Sequence, residues 1–122
     1  MTAYLDLEDL LALAHRVGAP GVRDLGLLSS AAQRPATSLY GNEVYPGLAA
    51  KAAVLLESIV RNHALVDGNK RLGWMSLVVF LGLNGANLDE PDDEAYDLVV
   101  SVAEGRCSWE QTRDWLERHG VG

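Results

Sequence analysis

The sequence predicts an all-α protein, a compact bundle of six helices with one buried central helix and a single short flap or hairpin. Apolar residues recur at three- and four-residue spacing along most of the chain, which is the signature of helices with one face in a core. Glycine and proline cut the chain into segments of helical length, and residues suited to extended backbone gather in one stretch only, between Pro35 and Gly47.

The first helix is expected from about Asp6 to Val17, with Asp6 as its cap, Leu7, Leu10, Leu11 and Ala14 along one side, and Gly18 and Pro20 closing it. A second begins after Asp24, carries Leu27, Leu28, Ala31 and Ala32, and stops at Pro35, whose ring clashes with a helix interior. Between Pro35 and Gly47, Tyr40, Gly41, Asn42, Val44 and Tyr45 mix turn formers with strand formers and make the flap. Leu48, Ala52, Leu55, Leu56, Ile59 and Val60 form the stripe of an amphipathic third helix that ends near His63.

The fourth helix starts at about Asn69, runs through Trp74, Leu77, Val78 and Leu81, and closes at Asn84 and Gly85. Apolar nearly all round, it is the expected central helix. Pro91 followed by Asp92, Asp93 and Glu94 starts a fifth, because proline suits the first turn and carboxylates suit the positive end of the helix dipole; it ends near Gly105. Ser108 and Gln111 form a capping box for a sixth that reaches about His119.

At 122 residues the chain is sized for one domain over 1–122. A net charge of −7 repels the phosphate backbone, so nucleic acid is not an expected direct partner. The longest apolar run, about Leu77 to Leu83, falls far short of the roughly 20 residues of a membrane span. No charged-then-apolar leader opens the chain, and the single Cys107 suits a reducing compartment, so a cytoplasmic protein is expected.

Against this acidic background Arg61, Lys70 and Arg71 concentrate positive charge around Val66-Asp67-Gly68-Asn69-Lys70-Arg71, the approach to the fourth helix. The first N–H groups of a helix lack internal partners and sit at the positive end of its dipole, so this is a natural phosphate site. Gly68 lets backbone approach a ligand closely, while Lys70 and Arg71 add a point charge and a planar fork for phosphate oxygens. Asp67 beside a phosphate is unfavourable unless a cation stands between them, which points to Asp67 as a Mg²⁺ ligand.

His63, at the end of the third helix, is the candidate general base for a hydroxyl nucleophile in a phosphoryl-type transfer. Each residue alone also has a plainer reading: a charge on a helix C-terminus for His63, a turn for Asp-Gly-Asn, a solvated pair for Lys-Arg. Their joint spacing, with His63 closing one helix and the cations opening the next, sets an anion site beside these plainer readings as an equal alternative. His15 and His119 carry no assigned chemistry, and Arg34 is expected as a helix-end charge.

The run His63-Ala64-Leu65-Val66-Asp67-Gly68-Asn69-Lys70-Arg71 resembles the signature of the Fic/Doc superfamily, roughly H-x-F-x-D/N-A/G-N-K/G-R. Arg23-Asp24-Leu25-Gly26-Leu27-Leu28, Arg34-Pro35, the flap and the long helix after it extend the likeness over most of the chain. The resemblance implies a Fic/Doc-like helical fold with His63 as base, Asp67 as Mg²⁺ ligand, Asn69 as a positioning group, and Gly68, Lys70 and Arg71 as the phosphate cradle. Arg61 matches an arginine that meets the nucleotide, with a surface salt bridge as its alternative.

Lys70 places the chain with Doc-like members, where adenylyltransferases carry glycine, and Trp74 stands where those relatives have a second arginine. By this similarity ATP binds reversed and its γ-phosphoryl group passes to a threonine of elongation factor Tu, arresting translation, so the implied protein is a toxin and a protein kinase. A Fic-type adenylyltransferase and a non-catalytic nucleotide-binding helical module are the alternatives. Leu65 departs from the aromatic of the motif, and Gly68 follows the Fic rather than the Doc form.

The flap residues Asn42, Glu43, Val44 and Tyr45 would hold the target by strand addition, or form an ordinary surface loop. Ser101 and Glu104 are one residue too close for the inhibitory Ser/Thr-x-x-x-Glu helix of autoinhibited relatives, which implies outside restraint. A Phd-type antitoxin whose C-terminal segment folds into an apolar groove on the outer helices is the implied partner.

Overall fold

The computed structural model describes residues 1–88 and 92–122. Among them lie six α-helices and one two-stranded antiparallel sheet, so the fold is all-α as the apolar spacing predicts. In α1 (Leu7–Arg16) the Asp6 carboxylate accepts from the Asp9 N–H at 2.8 Å, and Asp9 returns a bond to the Asp6 N–H. α2 (Leu25–Gln33) begins with the Leu27 N–H donating to Asp24. The chain does not break at Pro35 but passes through it in a single 3-10 turn, Arg34–Ala36, at whose start a missing N–H leaves nothing unpaired.

β1 (Ser38–Leu39) pairs with β2 (Asn42–Glu43), Ser38 opposite Glu43 and Leu39 opposite Asn42. Tyr40 and Gly41 fill the two-residue turn at φ of 52° and 80°, the positive values that keep a twisted hairpin closed.

The centre of the bundle is α3 (Leu48–Asn62), where every residue from Ala49 to Val60 is buried. It packs against α2, α4 (Asn69–Leu83), α5 (Asp92–Ala103) and α6 (Trp109–Arg118). This corrects the expectation that the fourth helix is central and the third a one-sided stripe. Alanines at 49, 50, 52 and 53 let neighbours approach α3 from several sides, and its polar residues Lys51, Glu57 and Ser58 are buried with partners rather than facing water.

α4 instead buries one face through Leu72, Leu77, Phe80 and Leu81 and leaves Met75 and Leu83 exposed. The two helices meet closely at Gly73, where a Cβ would stand 2.6 Å from Val60 Cγ1 and 3.0 Å from Leu56 Cδ1. The expected helix start at Pro91 lies outside the described residues. α6 opens with the expected capping box, Gln111 N–H to Ser108 Oγ and Ser108 N–H to Gln111 Oε1.

Candidate active site

The site begins where α3 stops. His63 caps its C-terminus in the left-handed conformation, φ 51° and ψ 44°, an uncommon place for a residue with a Cβ. Its imidazole is exposed and makes no hydrogen bond among the described residues. Its carbonyl accepts from the Arg23 guanidinium.

Beyond His63 the chain is held from both sides. The Arg23 and Asp24 N–H groups donate to the Ala64 carbonyl at 2.7 and 3.0 Å, the Val66 N–H donates to Gly21, and Val22 bridges Leu65 in antiparallel fashion. From within the loop, the Asn69 side chain closes on Leu65, accepting from its N–H at 3.0 Å and donating to its carbonyl at 3.2 Å. Ala64 and Leu65 are thereby buried, while Val66 and Asp67 stand exposed at the turn. Leu65, smaller than the motif's aromatic, still anchors the loop in the core.

Gly68 caps α4 at φ 88° without any side-chain hydrogen bond to the helix start. The first-turn amides of α4 therefore keep their donors for a ligand. A Cβ at Gly68 would meet only the movable end of the Arg71 side chain, Nη2 at 3.0 Å, so it is the positive φ that favours glycine here. Arg71 donates to the Val17 carbonyl at 3.0 Å and lies 3.9 Å from Asp67 Oδ2. Lys70 is exposed, with no hydrogen bond or ion pair among the described residues.

Asp67 accepts from the Gly68 N–H at 2.8 Å and keeps its side chain 78% exposed. No cluster of three or more metal-ligating side chains occurs among the described residues. One exposed carboxylate next to uncapped helix amides suits Mg²⁺, which binds through one or two carboxylates with the remaining positions taken by phosphates and water.

Arg61, expected near the nucleotide, is tied elsewhere. It donates to the Val102 carbonyl at 2.8 Å and the Cys107 carbonyl at 2.9 Å, and pairs with Glu57 at 3.3 Å. It thus satisfies carbonyls at the end of α5, a need that arises from residues distant in sequence. Arg34 is likewise more than a helix-end charge. It binds Tyr45 Oη, Glu57 and Ser58 Oγ, and lies against the Tyr45 ring. Burial works to lower its pKa, but the hydrogen bonds to Tyr45 and Glu57 more than reverse this and leave it raised.

The flap residues divide in two. Asn42 and Glu43 form β2, with Glu43 paired to the buried Lys51 at 3.2 Å. Val44 gives its N–H to the Thr37 carbonyl, and Tyr45 is built into the hairpin base, edge-on to Trp109, its carbonyl accepting from Lys51. Arg23, which the sequence marks only as part of the family likeness and gives no role at the site, is the residue that holds the His63 carbonyl.

A groove of about 530 Å³ runs from Lys70 and Arg71 between α1, α4 and α5, walled by Val17, Trp74, Met75 and Tyr96 among others. No helix among the described residues is long and apolar enough to cross a membrane.

An exposed histidine at a helix end, a stapled loop and an uncapped helix start with two exposed cations meet in one helical domain, and residues 4–81 match the Fic/DOC family. The chain belongs to that family. Within it the chain groups with Doc proteins. It is 49% identical over 111 residues to Toxin Doc of Mycolicibacterium smegmatis (strain ATCC 700084 / mc(2)155), covering 88% of this chain and 85% of that one. It is 31% identical over 121 residues to Protein kinase doc of Escherichia phage P1, covering 94% of each.

Proposed function

We propose that this chain is a Doc-type toxin that transfers the γ-phosphoryl group of ATP to a hydroxyl of a protein, elongation factor Tu by family resemblance, and thereby arrests translation in the cytoplasm. The observation that carries the reading is an exposed His63 imidazole beside an uncapped α4 start bearing an exposed Lys70, neither side chain having a hydrogen bond or ion pair among the described residues. Exposed and without partners among the described residues, both side chains are available to a substrate.

In this reading His63 accepts the proton of the target hydroxyl as its oxygen bonds to the γ-phosphorus, and the bond from that phosphorus to the ADP oxygen breaks. The α4 amides, Lys70 and Arg71 stabilise the negative charge that gathers on the transferring group and on ADP. Asn69 acts through the loop, holding Leu65 so that the turn keeps its shape. Mg²⁺ held by Asp67 would supply charge neutralisation on the phosphates.

The hairpin would receive the target chain as an added strand. Thr37 and Val44 share a backbone hydrogen bond, so by antiparallel alternation the N–H and C=O of Ser38 and Glu43 point outward, free to pair. The groove along α1, α4 and α5 is where the helical segment of a Phd-type antitoxin would dock, its apolar face on Trp74, Met75 and Tyr96.

ATP labelled at either the α or the γ position, incubated with purified elongation factor Tu, tests the reaction. Only the γ label is expected on the protein, with transfer reduced about 10²- to 10⁴-fold in His63→Ala. Transfer of the α label would make the chain an adenylyltransferase. Transfer of neither, with undiminished growth arrest by His63→Ala, would remove catalysis from the account.

A further inference from the structure

We propose that the polar cavity between the end of α3 and the base of the hairpin is a subsite for an acidic side chain of the protein substrate, a deepening that rests on the transferase reading above. The cavity holds about 440 Å³ and is lined by Ser30, Gln33, Arg34, Thr37, Ser58 and Asn62. All six are polar, one is a cation and none is a carboxylate.

The charge balance below this cavity is unequal. Glu57 is the one carboxylate against two guanidinium groups, 2.9 Å from Arg34 and 3.3 Å from Arg61, and it also accepts from the Trp109 N–H. Positive charge is therefore left over, and Arg34 is the member of the cluster that reaches the cavity. Its Nε and Nη1 are committed to Tyr45, Glu57 and Ser58, which fix the guanidinium plane, while Nη2 has no hydrogen bond among the described residues.

An aliphatic side chain here would strand those donors, and a basic one would face the guanidinium. A carboxylate could accept from Arg34 together with the Ser30 hydroxyl or the second amide protons of Gln33 and Asn62, whose first go to Ser29 Oγ and the Leu27 carbonyl; the Thr37 hydroxyl already donates to the Arg34 carbonyl.

Location ties the cavity to the chemistry. Asn62 immediately precedes His63, and Thr37 immediately precedes β1. A polypeptide that offers its hydroxyl to His63 and lies along the hairpin must cross between these two residues. On a chain of net charge −7, a local cationic pocket is also what would let an acidic segment approach at all.

The cavity itself is tested without catalysis. The ¹⁵N-labelled full chain is titrated with the blocked tripeptide Gly-Glu-Gly and separately with Gly-Gln-Gly, following the Arg34 Nε–H and Asn62 amide resonances. Saturable shifts at millimolar peptide with the glutamate form alone are expected; equal shifts with both, or none with either, would overturn the subsite.

Kinetics test its part in turnover. Gln33→Glu, at an exposed position that leaves the Arg34 cluster intact, should raise KM for elongation factor Tu about fivefold at low salt with kcat and the KM for ATP held, and the effect should shrink at high salt. An unchanged KM would remove the cavity from substrate recognition. Absence of any phosphoryl transfer in the unmodified chain would sink the transferase reading, leaving the peptide titration to decide the cavity separately.

Discussion

Arg61 and Arg71 stand on either side of His63 in sequence, and the fold treats them in opposite ways. Arg61 is held by two carbonyls and a nearly buried glutamate that also binds Arg34. Arg71 reaches one carbonyl, lies 3.9 Å from an exposed aspartate, and has Lys70 beside it with no partner among the described residues. The first set of charges holds α3, α5, α6 and the hairpin together, with Arg34 Nη2 left without a hydrogen bond among the described residues. The second is left with hydrogen-bonding capacity to spare at a helix start that nothing caps, which is the condition for binding an anion.

The contrast is broken or kept most plainly by stability. Glu57→Ala leaves two arginines without their shared carboxylate and should cost about 3–5 kcal/mol in urea unfolding. Arg71→Ala should cost about 0.5 kcal/mol or less, because its ion pair is exposed, while phosphoryl transfer falls steeply. Similar losses of stability from both would mean that the loop cations are structural as well.

A smaller effect separates packing from function within α4. Gly73→Ala forces a Cβ against Val60 and Leu56, and should lower the unfolding free energy by about 2 kcal/mol as the α3–α4 contact opens. A neutral result would mean that the central helix can shift sideways under the loop.

A further effect, about half that of Gly73→Ala, has the opposite sign. His63 holds a left-handed backbone that glycine adopts without penalty, so His63→Gly should stabilise the fold by about 1 kcal/mol while abolishing transfer. A thermal melt and the γ-label assay on the same preparation check both halves. A destabilised variant would show that the ring contributes packing.

Much of this was readable beforehand. The caps at Asp6, Asp24 and Ser108 involve residues three apart, so their chemistry is local and the structure has them where the sequence puts them. The hairpin could be placed for the same reason, from Tyr40 and Gly41. The His63 to Arg71 run carries the family resemblance, and its spacing brings a helix end, a loop and a helix start together.

The identity of the central helix could not be read. Lys51, Glu57 and Ser58 look like a solvent face until partners from the hairpin and the Arg34 turn enclose them. For the same reason Arg61 reads as a nucleotide contact or a surface salt bridge, and Arg34 as a helix-end charge.

What the sequence determined by itself is whatever depends on neighbours within a turn or two: the helix periods, their caps, the glycine-bearing loop and the order of its histidine, carboxylate and cations. Only the tertiary structure decided which helix is surrounded and which arginines are fixed by partners distant in sequence. Arg61 meets carbonyls 41 and 46 residues away, and Arg34 a carboxylate 23 residues away. The electrostatic fate of a side chain is set by the groups that desolvate and pair it, and those come from parts of the chain that no local pattern brings together.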